Sequence, residues 1–423
     1  MNEIGPSVTQ GADAITAPRR TYEFRWYMAG YGAYFLGLGI NQVLLQYLFV
    51  VVLRESAARF SLAQSLIMIP LLIAILFGGA AADRSELRGH LIRMQLLLAV
   101  PPVLLALVVG IGQLSYLAML AYGSVLGAIQ SFVQPARDSL LTNVAQRTND
   151  MDIPRAVAAA SAVQLCGQLV GFLLVGAAER IGAVPLLLTF ALALVFAASC
   201  TLRTAPTADP ERKARNAEPM MTLLTGGFRE VGASETLRTL ILCSFVMGIF
   251  GAAAMQVIMP IILREVYHGG ALTFSFFNFC FVGGTAATAL LLTYARTIRR
   301  QGRAMLLSMS GGIITLIVAH FGPPLYVLFP LVFSWGMCNG IWLSLSRALV
   351  QESAPSSHRA RILAVLTLGN LGGFPIGSFL AGPFIGALGL RWAVLVPPLG
   401  FIIVGIVMVT CTGMWRFERP QKA

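Results

Sequence analysis

The chain has 423 residues, of which 57% are hydrophobic and 11% charged, and its formal net charge is +12. Soluble domains carry about 25% charged residues, so this composition excludes a soluble globular protein. It is typical of a chain whose surface faces lipid over most of its area.

Charged residues divide the chain into long uncharged stretches, which predict the membrane-spanning helices. Eight stretches have the length of one span: 26–53, 60–82, 156–178, 181–202, 239–263, 266–295, 362–390 and 392–415. Two others, 94–136 and 304–346, hold 43 residues each and fit two helices of about 20 residues joined by a turn. The sequence therefore predicts an all-α integral membrane protein with twelve transmembrane helices.

Basic residues are concentrated on one side of this topology. The two tails and the loops after the second, fourth, sixth, eighth and tenth spans contain 25 of the 30 Lys and Arg residues. Cytoplasmic loops carry such an excess, so we predict a multi-pass protein of the bacterial inner (plasma) membrane with both termini in the cytoplasm. Nucleic-acid binding would be another explanation of the charge, but the arginines are spread over seven short segments instead of one basic face.

The chain also contains an internal repeat. Arg137 recurs 210 positions later as Arg347, and Gln46 recurs as Gln256. A second block, at an offset of 206, pairs Gly171 with Gly377, and we expect such glycines to allow close helix packing. The repeat predicts a cytoplasmic tail 1–24, a six-helix bundle 25–202, a cytoplasmic linker 203–238, a second six-helix bundle 239–415 and a tail 416–423.

A short motif follows the second span. The sequence there reads Gly79-Ala-Ala-Ala-Asp83-Arg84, with Arg88 close behind. This G-x-x-x-D-R spacing resembles the loop motif of the major facilitator superfamily. The segments around Arg137 and Arg347 resemble the exporter branch of that superfamily, which includes the enterobactin-type siderophore exporters and macrolide efflux proteins.

The resemblance implies two six-helix pseudo-repeats in the major facilitator fold. It also implies a cytoplasmic gate, to which we assign Gly79, Asp83, Arg84, Arg88, Arg137 and Arg347. The alternative is that these are loop charges that set the topology and nothing more.

Polar side chains in the middle of apolar spans are candidates for substrate contacts. In the resembled fold, spans 1, 4, 7 and 10 line the central cavity, and here they carry Asn41, Gln42, Gln46, Gln130, Gln134, Gln256, Asn339 and Trp342. Unpaired amides are costly in lipid, so they must face a cavity or a neighbouring helix. Interhelical hydrogen bonding is the alternative explanation, more so for Gln164, Gln168, Asn278 and Asn370.

Acidic residues do not occur deep in any predicted span: all 18 Asp and Glu residues fall in loops, tails or span ends. Proton relays in transporters normally use intramembrane acids or histidines. If protons drive transport here, the proton-binding groups must be Glu55 and Glu265 at the outer span ends, or Asp138 at an inner end. The cysteines and histidines do not cluster, so neither a metal site nor a cofactor is expected.

These patterns predict a secondary active transporter, not an enzyme, because no His/Asp/Ser constellation sits beside a span. We expect it to export an amphipathic small molecule, such as a siderophore, macrolide or other drug-like compound, by alternating access. Its partners would be that substrate and the lipid bilayer, with no nucleic acid, and it would act as a monomer. The alternatives are lipid or lysolipid transport, or a receptor or accessory protein that keeps the fold without transporting.

Overall fold

The described part of the chain is helical. The computed structural model describes residues 17–84, 86–147, 153–205, 229, 231–232, 234–294, 300–353 and 359–411, and these ranges contain no strand. They include 12 helices that are long and apolar enough to cross a membrane. The predicted fold class is therefore confirmed.

Twelve helices, α1 to α12, account for these spans. In the first half they are α1 (Ala17–Tyr47, continued by a π-helical turn at Leu48–Val52), α2 (Ala57–Arg84), α3 (Leu87–Gly110), α4 (Tyr116–Arg147), α5 (Ile153–Val175) and α6 (Ala183–Thr201). In the second half α7 comprises Glu235–Ala252, a π-helical turn Ala253–Ile258 and Met259–Glu265, and it is followed by α8 (Ala271–Tyr294). The chain then forms α9 (Gln301–Ser308 and Ser310–His320), α10 (Leu325–Ser353), α11 (Arg359–Leu388) and α12 (Val396–Cys411).

The even number of spans gives the bundle two distinct ends. We call the end at which α1 begins and α12 ends the termini side, and the opposite end the far side. On the far side, Gly112 and Gly322 turn the chain between α3 and α4 and between α9 and α10. Their φ angles are 73° and 64°, a region that favours glycine. The two 43-residue stretches are therefore helix hairpins, as the sequence predicts.

The two halves have the same internal packing and meet along a limited set of helices. In the first half α1 packs on α5 and α2 on α4, and in the second α7 packs on α11 and α8 on α10. Between the halves, α2 packs on α11 and α5 on α8. This arrangement places α2, α5, α8 and α11 at the contact between the halves.

Glycines allow the closest of these contacts. A Cβ added at Gly171 of α5 would lie 2.3 Å from the carbonyl oxygen of Leu36 in α1. At the repeat equivalent, a Cβ at Gly377 of α11 would lie 1.9 Å from the carbonyl oxygen of Ile249 in α7. Backbones that touch in this way need a residue without a side chain, so the packing role predicted for these glycines is confirmed.

The helix ends do not coincide with all the predicted domain limits. α1 begins at Ala17 and α7 at Glu235, ahead of the predicted starts at 25 and 239. Of the predicted linker, the structure describes 203–205, 229, 231–232 and 234–238, and the tail 416–423 lies outside the described residues. The linker and both tails therefore stay predictions.

The glycine contact between α1 and α5 can be tested directly. We expect Gly171→Ala to lower the free energy of unfolding by about 1–3 kcal/mol, because the added methyl group overpacks a backbone contact. Gly405→Ala in α12 is the matched control, since a Cβ there has no neighbour within 4 Å. Thermal unfolding of both purified variants in detergent measures the difference, and equal midpoints would contradict this packing.

Candidate functional site

A cavity of about 370 Å³ lies among α1, α2, α4 and α5, with one contribution from α7. Half of its lining residues are carboxamides: Asn41, Gln42, Gln46, Gln64, Gln130, Gln134, Gln164, Gln168 and Gln256. The other half are apolar side chains and glycines, and the described lining contains no charged side chain. The cavity can therefore offer many neutral hydrogen bonds beside apolar surface.

Helical spacing explains which residues reach the cavity. On α2 the lining residues are Gln64, Ile67, Met68 and Leu71, and spacings of three, four and seven residues place them on one face. Gln64 was missed from the sequence, because the resemblance directed attention to spans 1, 4, 7 and 10. A single amide within an apolar span, at helical spacing from large apolar residues, was the available signal.

Five amides form a continuous hydrogen-bonded chain, which we call the amide relay: Gln168, Gln42, Asn278, Gln46 and Gln256. Gln168 Nε2 donates to Gln42 Oε1 at 3.0 Å, and Gln42 Nε2 donates to Asn278 Oδ1 at 3.2 Å. Asn278 Nδ2 then donates to Gln46 Oε1 at 3.1 Å, and Gln46 Nε2 to Gln256 Oε1 at 3.2 Å. The last three of these bonds join the first half to the second.

The relay coincides with two π-helical turns. Gln256 lies inside the turn of α7, and Gln46 lies two residues before the turn of α1. Such turns interrupt the regular helical ladder and are frequent at functional sites. The repeat thus brings two equivalent glutamines into contact with each other across the boundary between the halves.

Other hydrogen bonds close the far side around the relay. Arg264 Nη1 at the end of α7 donates to the carbonyl oxygens of Val50 and Glu55, at 3.0 and 2.9 Å. Glu179 Oε1 accepts from the backbone N–H of Ala271 at 2.8 Å, at the start of α8. All the hydrogen bonds that described residues form with one another across the halves lie in the far-side half of the spans. The structure is therefore closed on the far side.

Arg137 of α4 is a buried cation, 1% exposed. Its guanidinium carbon lies 4.7, 4.1 and 4.3 Å from the ring centres of Tyr31, Tyr34 and Phe35 on α1. Its Nη2 donates to Oε1 of Gln134, a cavity residue, at 3.0 Å. Aromatic faces attract a desolvated cation, so Arg137 joins α4 to α1 and orients the Gln134 amide.

The repeat equivalent, Arg347, is instead exposed. The positions that correspond to the two tyrosines of α1 are Ile241 and Ser244, which offer no aromatic face. The third ring, Phe35, has an aromatic equivalent, Phe245. The sequence assigned both arginines to one gate, but the structure places them in different environments, and the second half lacks two of the three rings that surround Arg137.

The remaining gate residues are only partly described. Arg88 Nη2 donates to the carbonyl oxygen of Leu202 at 2.6 Å, which joins the start of α3 to the end of α6. The side chains of Asp83 and Arg84 and the surroundings of Gly79 are outside the described part of the structure. The cytoplasmic gate therefore stays a prediction.

The cavity is more asymmetric than the sequence suggested. Asn339 and Trp342 of α10 are not among its described lining residues, and Trp342 is 2% exposed within the second half. Gln164 and Gln168 of α5, which were interpreted mainly as helix contacts, do line it. Of the described lining, Gln256 alone comes from the second half.

The candidate coupling acids are outside this cavity. Glu55 is 9% exposed and pairs with Arg59 at 3.0 Å. Glu265 is exposed and accepts from Arg264 Nε at 2.9 Å, and Asp138 is exposed on α4. None of the three is in the described lining, and their role in coupling stays a prediction.

The chain matches the model of a known protein family. A family model described as transmembrane secretion effector, within the major facilitator superfamily, matches residues 14–418. The chain belongs to this family. It is a membrane transporter, not an enzyme.

Relatives of established function and solved structures agree with this assignment. The chain is 25% identical over 402 residues to the multidrug efflux pump Tap of Mycobacterium tuberculosis, covering 92% of this chain and 93% of that protein. It is 25% identical over 366 residues to the multidrug efflux pump Tap of Mycolicibacterium fortuitum, covering 84% and 87%. The solved nucleoside transporter NupG matches with a TM-score of 0.75 at 13% identity, covering 94% of this chain and 100% of that one. A bacterial homologue of the human lysosomal transporter Spinster matches with a TM-score of 0.68 at 15% identity, covering 96% and 99%.

The aromatic contacts of Arg137 give a prediction about stability. We expect Arg137→Lys to lower the free energy of unfolding by about 1–2 kcal/mol, because an ammonium cannot stack on the rings and hold the Gln134 amide as the planar guanidinium does. Arg347→Lys makes the same change at an exposed site and should leave the free energy of unfolding unchanged. Thermal unfolding of the two variants decides this, and equal losses would show that the rings contribute nothing specific.

Proposed function

We propose that the protein is an exporter of the inner membrane, which moves an amphipathic drug-like molecule through the amide-lined cavity by alternating access. The observation that carries this proposal is the composition of the cavity wall, which is half carboxamide and, as described, without charge. The similarity to multidrug efflux pumps over most of both chains supports export of drug-like compounds.

The chemistry of the wall suits such a substrate. Each carboxamide offers donors as well as an acceptor, so polar groups in different positions find partners. The apolar half of the lining receives the hydrophobic body of the molecule. A compound with a strong charge would gain little here, because no opposite charge lines the described cavity.

The direction of opening follows from the far-side contacts. With the amide relay and Arg264 closing the far side, we infer that substrate enters from the termini side. Release on the far side then requires the three relay bonds between the halves to break. Rocking of two six-helix halves about a central site is the movement that repeats of this kind perform.

The orientation of the chain in the membrane determines that this movement is export. The Lys and Arg excess in the termini-side loops supports a cytoplasmic position for both termini, so substrate would leave the cytoplasm. We further propose that a single chain is the transporting unit, because its two six-helix halves already supply the moving parts that alternating access requires.

Lipid or lysolipid transport is the second candidate. It is favoured by an apolar groove of about 300 Å³ between α3 and α4. Tyr122 lines this groove, and its hydroxyl donates to Oδ1 of Asn41, a cavity residue, at 2.6 Å. A molecule with an acyl chain would find apolar surface next to the cavity wall.

The substrate contacts are testable by leucine substitution. We expect Gln42→Leu, Gln46→Leu and Gln130→Leu each to reduce efflux at least about tenfold, because each removes a carboxamide that can hydrogen bond the substrate from the cavity wall. Drug susceptibility of an expressing strain and drug uptake into inside-out membrane vesicles measure the effect.

The control for these variants is Gln113→Leu, since Gln113 is exposed in the far-side loop between α3 and α4. It should transport normally at equal protein level. Normal efflux by all three cavity variants would remove these residues as substrate contacts.

The orientation is tested with reporters fused to the C-terminus. Cytoplasmic termini predict a fluorescent green fluorescent protein fusion and an inactive alkaline phosphatase fusion, because the phosphatase folds only outside the cytoplasm. An active phosphatase fusion would reverse the assigned direction of transport.

A further inference from the structure

We propose that the transported molecule itself opens the amide relay, by placing a neutral hydroxyl or amide group between its members. This inference rests on the proposed function and goes beyond it, because it names the chemical group that the substrate must carry. It also assigns gating roles to Gln168 and Asn278.

The direction of the hydrogen bonds limits what can enter the relay. Along the relay, each internal amide accepts from the member before it and donates to the next. A group inserted between Gln42 and Asn278 must therefore accept from Gln42 Nε2 and donate to Asn278 Oδ1. Hydroxyl and amide groups do both, whereas an ammonium group only donates and a carboxylate only accepts. The restriction is the same if the whole chain of bonds runs in the opposite direction.

A molecule in the cavity is well placed to make this exchange. Gln42, Gln46, Gln168 and Gln256 all line the cavity, so four of the five relay members face the bound molecule. Asn278 is 1% exposed and lies between Gln42 and Gln46, to which it is hydrogen bonded. Each of the three relay bonds between the halves therefore involves at least one residue that lines the cavity. The far-side bonds of Arg264 and Glu179 lie outside the described lining.

The cost of an unaided opening explains why substrate is needed. Separating the halves without it leaves several buried donors and acceptors unpaired, and each such group is penalised by its desolvation. A hydroxyl or amide of the substrate restores those partners while the halves separate. The relay thus keeps the empty protein closed on the far side and releases it when a suitable molecule is bound.

The test measures the far-side distance between the halves by pulsed electron paramagnetic resonance. Spin labels are placed at Gln113→Cys and Tyr326→Cys, which are exposed on the far side in different halves. The full chain serves as background, with its own cysteines replaced: Cys166, Cys200, Cys243, Cys280, Cys338 and Cys411.

The probes share one naphthalene body and differ in the head group. Naphthylacetamide and naphthylmethanol are neutral and can both donate and accept, whereas naphthylmethylammonium and naphthylacetate cannot. We expect the two neutral probes to increase the long-distance population, which is the fraction of molecules in which the two labels are far apart. The two ions, at equal concentration, should leave this fraction unchanged. An equal response to either ion, or no response to the neutral probes, overturns the proposal.

Variants test the relay without any probe. Asn278→Leu removes two of the bonds between the halves, so the long-distance population of the empty protein should rise at least about fivefold. Gln42→Leu removes one of them and provides a second readout if the first variant does not fold. Asn370→Leu is the control, because its Nδ2 donates within the second half, to the Ser244 carbonyl oxygen at 3.4 Å. Distances in Asn278→Leu and Gln42→Leu that equal those of the control contradict a gating role.

Uptake of the same probes into inside-out vesicles separates this inference from the proposed function. If the probes are taken up but the neutral probes do not change the far-side distance, the protein is an exporter and the amide relay is not its gate. A selective far-side response without uptake of any probe supports the relay and contradicts export of such compounds.

Discussion

The structure depends on one constraint: a carboxamide placed within a lipid-surrounded bundle must find hydrogen-bond partners inside the protein. The amides of the relay satisfy this constraint largely by hydrogen bonding to one another. Gln46 and Gln256, which occupy equivalent positions in the two repeats, bond to each other at 3.2 Å. These two side chains therefore both join the halves and line the cavity. The amides that close the far side are thus also available to bind a neutral molecule.

The helix packing places these amides within reach. A Cβ added at Gly39 of α1 would lie 2.4 Å from the carbonyl oxygen of Gln168, so the two backbones touch at this level. That contact brings the side chain of Gln168 to Gln42, one turn along α1. The π-helical turns in α1 and α7 lie beside the other end of the relay. Close packing and irregular helix geometry thus act together at one depth in the bundle.

Much of the fold could be predicted from the sequence, because span length and loop charge follow directly from the thickness and polarity of a membrane. The amides of α1, α4 and α7 could be predicted to avoid lipid, but the sequence left open whether they face a cavity or bond to a neighbouring helix. Gln42, Gln46 and Gln256 do both. Gln64 was missed as a cavity residue. Asn278 was interpreted as a helix contact, but its partners Gln42 and Gln46 could not be predicted, because they lie on an element distant in the chain. The repeat also suggested a symmetry that the side chains do not keep, as the different burial of Arg137 and Arg347 shows.

Alternating access requires one cavity that opens to one side of the membrane at a time. A cysteine at Gln130, in a background without native cysteines, tests this with a membrane-impermeant thiol reagent applied to vesicles of each orientation. We expect rapid modification of this cysteine from the termini side and protection from the far side, with far-side modification appearing when Asn278→Leu is added. Modification from neither side, or at equal rates from both sides before that change, would contradict it.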